Sequence, residues 1–124
     1  MEMLELVGLI GRRNDLVRTF SRGMQQRLAI ARAILHDPEI LLLDEPHTGL
    51  DQDASDMLDR LLCEVASRGR TVLMTSHDLS RVGDLASRFD IIAGGRIVAS
   101  ANRTQVSSEQ LLAFYRQSIT NLSI

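Results

Sequence analysis

Ile40-Leu41-Leu42-Leu43 runs without a polar break into Asp44-Glu45-Pro46, and this segment limits the fold more than any other in the chain. An apolar run of strand length reads as a parallel strand covered on both faces, because a half-solvated strand alternates apolar and polar side chains. A second such strand is predicted over residues 71–75, with a helix between the two. Strand, helix and strand in that order give a parallel sheet with right-handed crossovers and a reactive edge at the carboxyl ends of the strands. Asp44, Glu45, Ser76 and His77 fall at that edge. The expected fold class is α/β.

Around this centre the spacing predicts further elements. Residues 2–9 read as a short amphipathic helix closed by Gly8 and Gly11, since glycine takes the left-handed cap conformation without strain. Ser21 is placed to cap a helix running to about His36, with Met24, Leu28, Ala31 and Leu35 on one face and Asp37-Pro38 as its stop. Residues 51–68 form the next helix, with Leu58, Leu61, Leu62 and Val65 at core spacing and Gly69 as terminator. A short helix over 78–88 follows, then a hairpin of residues 90–93 and 97–99 around Gly94-Gly95. A last helix covers about 108–119, with Leu111, Leu112, Tyr115 and Ile119 on one side.

Two adjacent carboxylates at the end of a covered strand are costly unless a cation or a polarised water answers them. In phosphoryl-transfer chemistry one acid helps to hold Mg²⁺ and another orients or deprotonates the attacking water. Asp44 is the candidate metal-side acid and Glu45 the candidate base; a plain polar turn would also account for Asp-Glu-Pro. Upstream, Phe20-Ser21-Arg22-Gly23-Met24-Gln25-Gln26-Arg27 opens a helix on a serine and a glycine. A helix N-terminus carries about half a positive charge and free N–H groups, so it attracts phosphate. An ordinary capped core helix explains Ser21, but not a first-turn glycine, which costs about 1 kcal/mol relative to alanine. His77 is expected near the same edge as Glu45, where an imidazole can bond a terminal phosphate; a cap for the next helix is the plainer reading. His36 and His47 are expected at solvent-facing or turn positions.

Composition narrows the partners. All 14 basic residues are arginine, so no lysine is present to complete a glycine-rich phosphate loop. The 124 residues suit one domain with a real core, yet are short for a complete nucleotide-hydrolysing α/β domain. At 44% apolar, 24% charged and a formal charge of -2, the chain has the make-up of a soluble globular protein. Arg12, Arg13, Arg18, Arg22, Arg27 and Arg32 face only Asp15 in their segment. A solvated basic face explains them, and with 3% aromatic residues for base stacking no nucleic acid partner is expected. The lone Cys63 excludes an internal disulfide and fits a reducing compartment. No apolar run approaches the roughly 20 residues that cross a bilayer, and Met1-Glu2-Met3-Leu4-Glu5 lacks the flank of a secretory signal. The expected location is cytoplasmic, with peripheral membrane association open.

Taken in order, these motifs resemble the C-terminal part of the ATP-binding subunit of ABC transporters. Residues 20–25 resemble the family's signature motif, 40–45 its Walker B strand with the catalytic glutamate, and Thr48-Gly49-Leu50-Asp51 its D-loop. His77 matches the switch histidine. The resemblance implies a partial P-loop NTPase fold of the ABC ATPase type: parallel strands with flanking helices, a C-terminal β-hairpin, and no phosphate-loop strand. It divides the chain into a signature-helix region 1–37, a Walker B to switch-histidine core 38–88, and a hairpin with C-terminal helix 89–124. It implies ATP and Mg²⁺ as ligands, with Glu45 and His77 catalytic and Asp44 on the metal. Ser21, Arg22, Gly23, Met24, Gln25 and Asp51 would touch ATP held by a second ATPase subunit in a head-to-tail dimer, and a transmembrane permease would be the other partner, on the inner face of the cell membrane. Arg22 and Met24 depart from the usual signature and resemble exporter-type ATPases, including haem exporters of cytochrome c maturation. The implied function is ATP hydrolysis coupled to export, with the chain itself looking like a C-terminal fragment that is inactive alone. A non-transport ABC protein, or a signature-bearing partner that completes another subunit's ATP site, are the alternatives.

Overall fold

The computed structural model describes residues 2–122. It divides into two compact units, Met1–Ser76 and His77–Ile124.

The first unit opens with α1, Glu2–Leu6. Gly8, at φ +69, reverses the chain and leaves Val7 and Leu9 buried. Gly11, predicted as a second cap, instead sits in a 3₁₀ turn, Ile10–Arg12. A further 3₁₀ turn, Val17–Thr19, leads to α2, Arg22–Ile34, which Ser21 caps by accepting the Met24 N–H. Helix α2 ends earlier than expected because the chain turns at Asp37, held at φ +54. Its fully buried residues are Gly23, Ile30, Ala31 and Ile34; of the predicted face Ala31 is buried and Met24 and Leu28 pack against the core, whereas Leu35 is the C-cap and is 57% exposed. The rest of the inner face escapes an apolar search because its N-terminal members are Gly23 and the half-buried Arg27, whose Nη1 donates to the Val7 carbonyl at 2.9 Å.

Strand β1, Ile40–Asp44, pairs in parallel with β2, Thr71–Thr75, in a register running from Ile40 opposite Thr71 to Asp44 opposite Thr75. The crossover is α3, Gln52–Ser67, capped by Asp51 and ended by Gly69 at φ +81, as the sequence predicts. Leu41 of β1 joins Ile30, Leu58, Leu61, Leu62 and Val65 in one core, with Leu43, Val72 and Met74 against it. The expected cover on both faces is not observed: Ile40, Leu42 and Leu73 are 59%, 69% and 60% exposed. The apolar run signals a strand suited to two covers, but α2 and α3 supply only the Leu41 side.

In the second unit Asp78 caps α4, Leu79–Leu85. That helix stops three residues short of its predicted end, because Arg88 already belongs to β3, Arg88–Ala93. Strand β3 pairs antiparallel with β4, Arg96–Asn102, with a bulge at Ile91/Ile92. A 3₁₀ turn with a Ser107–Gln110 capping box then starts α5, Leu111–Thr120. Phe89, Ala101, Val106 and Leu111 form the core, with Leu79, Val82 and Phe114 packed on it. The predicted face of α5 is therefore rotated, leaving Leu112 and Tyr115 exposed. No helix among the described residues is long and apolar enough to cross a membrane.

Candidate functional site

The paired acids leave β1 where the sheet holds them from the neighbouring strand. Thr75 lies opposite Asp44; its hydroxyl donates to Asp44 Oδ1 at 2.5 Å and accepts the Glu45 backbone N–H at 3.0 Å. One hydroxyl thus satisfies both residues, which its single donor and two lone pairs allow. Glu45 itself is at φ +46, a left-handed conformation that costs a non-glycine residue about 1–3 kcal/mol and recurs at functional sites. Pro46, buried, follows it, and Asp44 is exposed. Two successive turns then carry the chain to α3: the Thr48 N–H meets the Glu45 carbonyl at 3.2 Å, and the Leu50 N–H meets the His47 carbonyl at 3.1 Å.

At the start of α2, Ser21 is exposed and takes the Met24 N–H at 3.2 Å, while Gln25 Nε2 donates to the Phe20 carbonyl at 3.2 Å. Gly23 is buried, and a Cβ there would lie 2.9 Å from the Ala54 methyl. Its first-turn glycine is thus required by the contact between α2 and α3, a structural reason the sequence did not offer. Arg22 lays its side chain over Gly49, which needs glycine on its own account at φ +76. Asp51 caps α3 by accepting the Ala54 N–H at 2.8 Å. The N-termini of α2 and α3 therefore start side by side, gathering Ser21, Arg22, Gly23 and Asp51 into one region where backbone N–H groups and an arginine favour anions. Met24 turns instead toward the core.

His77, exposed, is the first residue of the second unit; the helix cap that follows is Asp78, whose Oδ1 accepts the Arg81 N–H at 3.0 Å. His47 is a turn residue, one of the two placements expected, but its ring is not solvent-facing. Its Nε2 lies 2.6 Å from Asp59 Oδ1, with the two side chains 10% and 19% exposed. Sequence reasoning missed His47 and Thr75. Aligning the two strands end to end places Thr75 against Asp44, whereas nothing in the sequence pairs His47 with Asp59. Cys63 is a free, exposed thiol.

Among the described residues no three His, Cys, Asp or Glu side chains gather into a metal cage. An exposed, hydrogen-bonded Asp44 nevertheless fits Mg²⁺, which keeps several waters and is commonly held by one or two carboxylates together with substrate phosphates.

Residues 1–48 match the profile of the family described as ABC transporter. The fluoroquinolones export ATP-binding protein of Mycobacterium tuberculosis is 39% identical over 106 residues, which is 86% of this chain and 35% of that protein. The chain belongs to the ATP-binding domains of ABC transporters. Nod factor export ATP-binding protein I of Rhizobium johnstonii is 36% identical to this ABC chain over 109 residues, 88% of it and 35% of the relative. Methionine import ATP-binding protein MetN 2 of Pectobacterium atrosepticum is 36% identical over 121 residues, 97% and 36% respectively. The ABC chain spans about a third of the length of these curated relatives. Its fold is that of solved ATP-binding cassettes of ABC transporters. One in the ADP conformation gives a TM-score of 0.80 at 21% identity over 93% of this chain and 44% of that one. A nucleotide-free cassette gives 0.82 at 20% identity over 90% and 44%.

Proposed function

We propose that this chain is the signature-to-switch part of an ABC transporter ATPase subunit that couples ATP hydrolysis to transmembrane export, at the cytoplasmic face of a membrane and against a permease. The observation that carries the reading is Glu45, held in a left-handed turn at the carboxyl end of a parallel strand and tied through Thr75 to Asp44. In this reading Glu45 orients the attacking water and takes its proton, and His77 assists at the terminal phosphate. Asp44 would hold Mg²⁺, largely through water, and the ion would offset charge on the phosphates. The α2 N-terminus with Ser21, Arg22, Gly23, Met24 and Gln25, and Asp51 beside it, would meet ATP bound by a second subunit. Export as the direction rests on the names of relatives such as the fluoroquinolone and Nod factor proteins; haem as cargo rests only on Arg22 and Met24.

The chain holds no lysine for a phosphate loop, so by itself it should turn over no ATP above background. Mixed with an intact related subunit whose signature serine has been disabled, it should restore turnover through Ser21, and Ser21→Ala should abolish the restoration. Turnover by the chain alone, or a mixed dimer that binds ATP without regaining hydrolysis, would overturn the reading.

A further inference from the structure

The loop from Glu45 to Asp51 carries both the proposed water-activating acid and the cap of α3, and the backbone hydrogen bonds that fold it on itself are those of two turns. Left-handed residues stand in it at Glu45 and Gly49. Such a segment keeps a strained shape only if its surroundings over-determine it. His47 and Thr48 belong to both turns, and of the two His47 lies inside the first while its carbonyl closes the second. Its ring is 10% exposed and is fixed to Asp59 of α3 at 2.6 Å. Asp59 sits about two helical turns beyond the Asp51 cap, so the bond ties the loop to the rigid body of α3 rather than to its fraying end.

The ring is also a costly choice. Nδ1 is buried without a partner among the described residues, and a buried polar atom left unsatisfied is destabilising. An apolar side chain of similar volume would fill the same space without that penalty. The ionised carboxylate only accepts, so the shared hydrogen resides on Nε2. We infer that His47 is a positioning residue: its Nε2–H bond to Asp59 sets the loop that presents Glu45 and Asp51. The claim rests on the functional reading of those two residues, but it is tested on loop structure and not on turnover, so the two fail separately.

The experiment is hydrogen–deuterium exchange of the whole chain without nucleotide, comparing a peptide over residues 45–51 with one over the middle of α3. His47→Phe keeps the bulk and removes the donor. It should speed exchange of the Thr48 and Leu50 amides by about tenfold while leaving the α3 core peptide within about twofold of the parent. His47→Gln, whose amide N–H reaches the Nε2 position, should restore most of the protection. Asp59→Ala deletes the acceptor from the other side in a residue that favours helix, so it repeats the test even if His47→Phe fails to fold. Equal acceleration of loop and core in both deletions would mean that the ring is a general stabiliser, and unchanged loop protection would mean that it holds nothing; either result overturns the proposal, as does a Gln variant no better than Phe.

Discussion

Asp90 faces Ser100 across the β3–β4 ladder and accepts its hydroxyl at 2.5 Å, with Arg88 Nη2 on the same oxygen at 3.1 Å. The Ser100 bond first, and then Arg88, hold the Asp90 carboxyl below its ordinary value of 3.8, against a small opposing effect of burial. The sign follows from proton linkage. Below 3.8 the unfolded chain takes up a proton that folded Asp90 resists, so its contribution is present above that pH and is lost as the pH falls through the lowered folded value. Asp90→Asn should therefore flatten the acid limb of the second unit's melting curve below the ordinary value of 3.8 and leave neutral behaviour little changed, because the site is well solvated. Circular dichroism melts across that range check it. Residues of this kind are only half legible in a sequence. Asp44-Glu45, Ser21 and Asp51 announce themselves because their chemistry is local: a strand end, a cap, a cap. Thr75 and His47 do not, because each acts on a residue that only the fold brings near.

Helices α2 and α3 show what the sequence reveals of an element and what it hides. Both ends of α3 were readable, since Asp51 and Gly69 are strong start and stop signals and its apolar stripe is unbroken. The buried face of α2 was readable only in part, at Met24, Leu28 and Ala31, because contact with α3 is made through a missing side chain, at Gly23. Two effects compete in Gly23→Ala. Helix propensity favours alanine by about 1 kcal/mol, while overpacking against a neighbouring backbone-proximal atom costs about 1–3 kcal/mol. The clashing atom is the Ala54 methyl at 2.9 Å, which cannot rotate away, so overpacking should win and the variant should lose about 1 kcal/mol or more in urea unfolding. Ala54→Gly removes that methyl. It should cost about 1 kcal/mol in the parent and much less in the Gly23→Ala background. Additive losses in the double variant would mean that the two helices do not meet there.

At the scale of the whole molecule, the apolar run of β1 explains both what was read correctly and what was not. It gave the parallel pairing and the crossover helix, because continuous apolar strands occur in sheets of that kind. Its cover was misjudged because hydrophobicity reports what a face needs, not which residues of this chain supply it. A two-stranded ladder is marginal alone, and here it presents Ile40, Leu42 and Leu73 to solvent on one side. Its outer edges also carry unpaired backbone groups, a template for association. The chain should therefore self-associate at micromolar concentration, with an apparent mass in sedimentation velocity that rises with loading. Leu42→Thr with Leu73→Thr places β-branched residues suited to strands at both positions but removes most of the exposed apolar area, so it should shift the distribution toward monomer without lowering the melting temperature of the first unit. Leu41→Thr is the contrasting variant: Leu41 is 4% exposed, and placing a hydroxyl there should destabilise the unit by about 2–4 kcal/mol. If the parent chain sediments as a concentration-independent monomer, or if the double threonine variant associates as strongly as the parent, then this face is not what drives association.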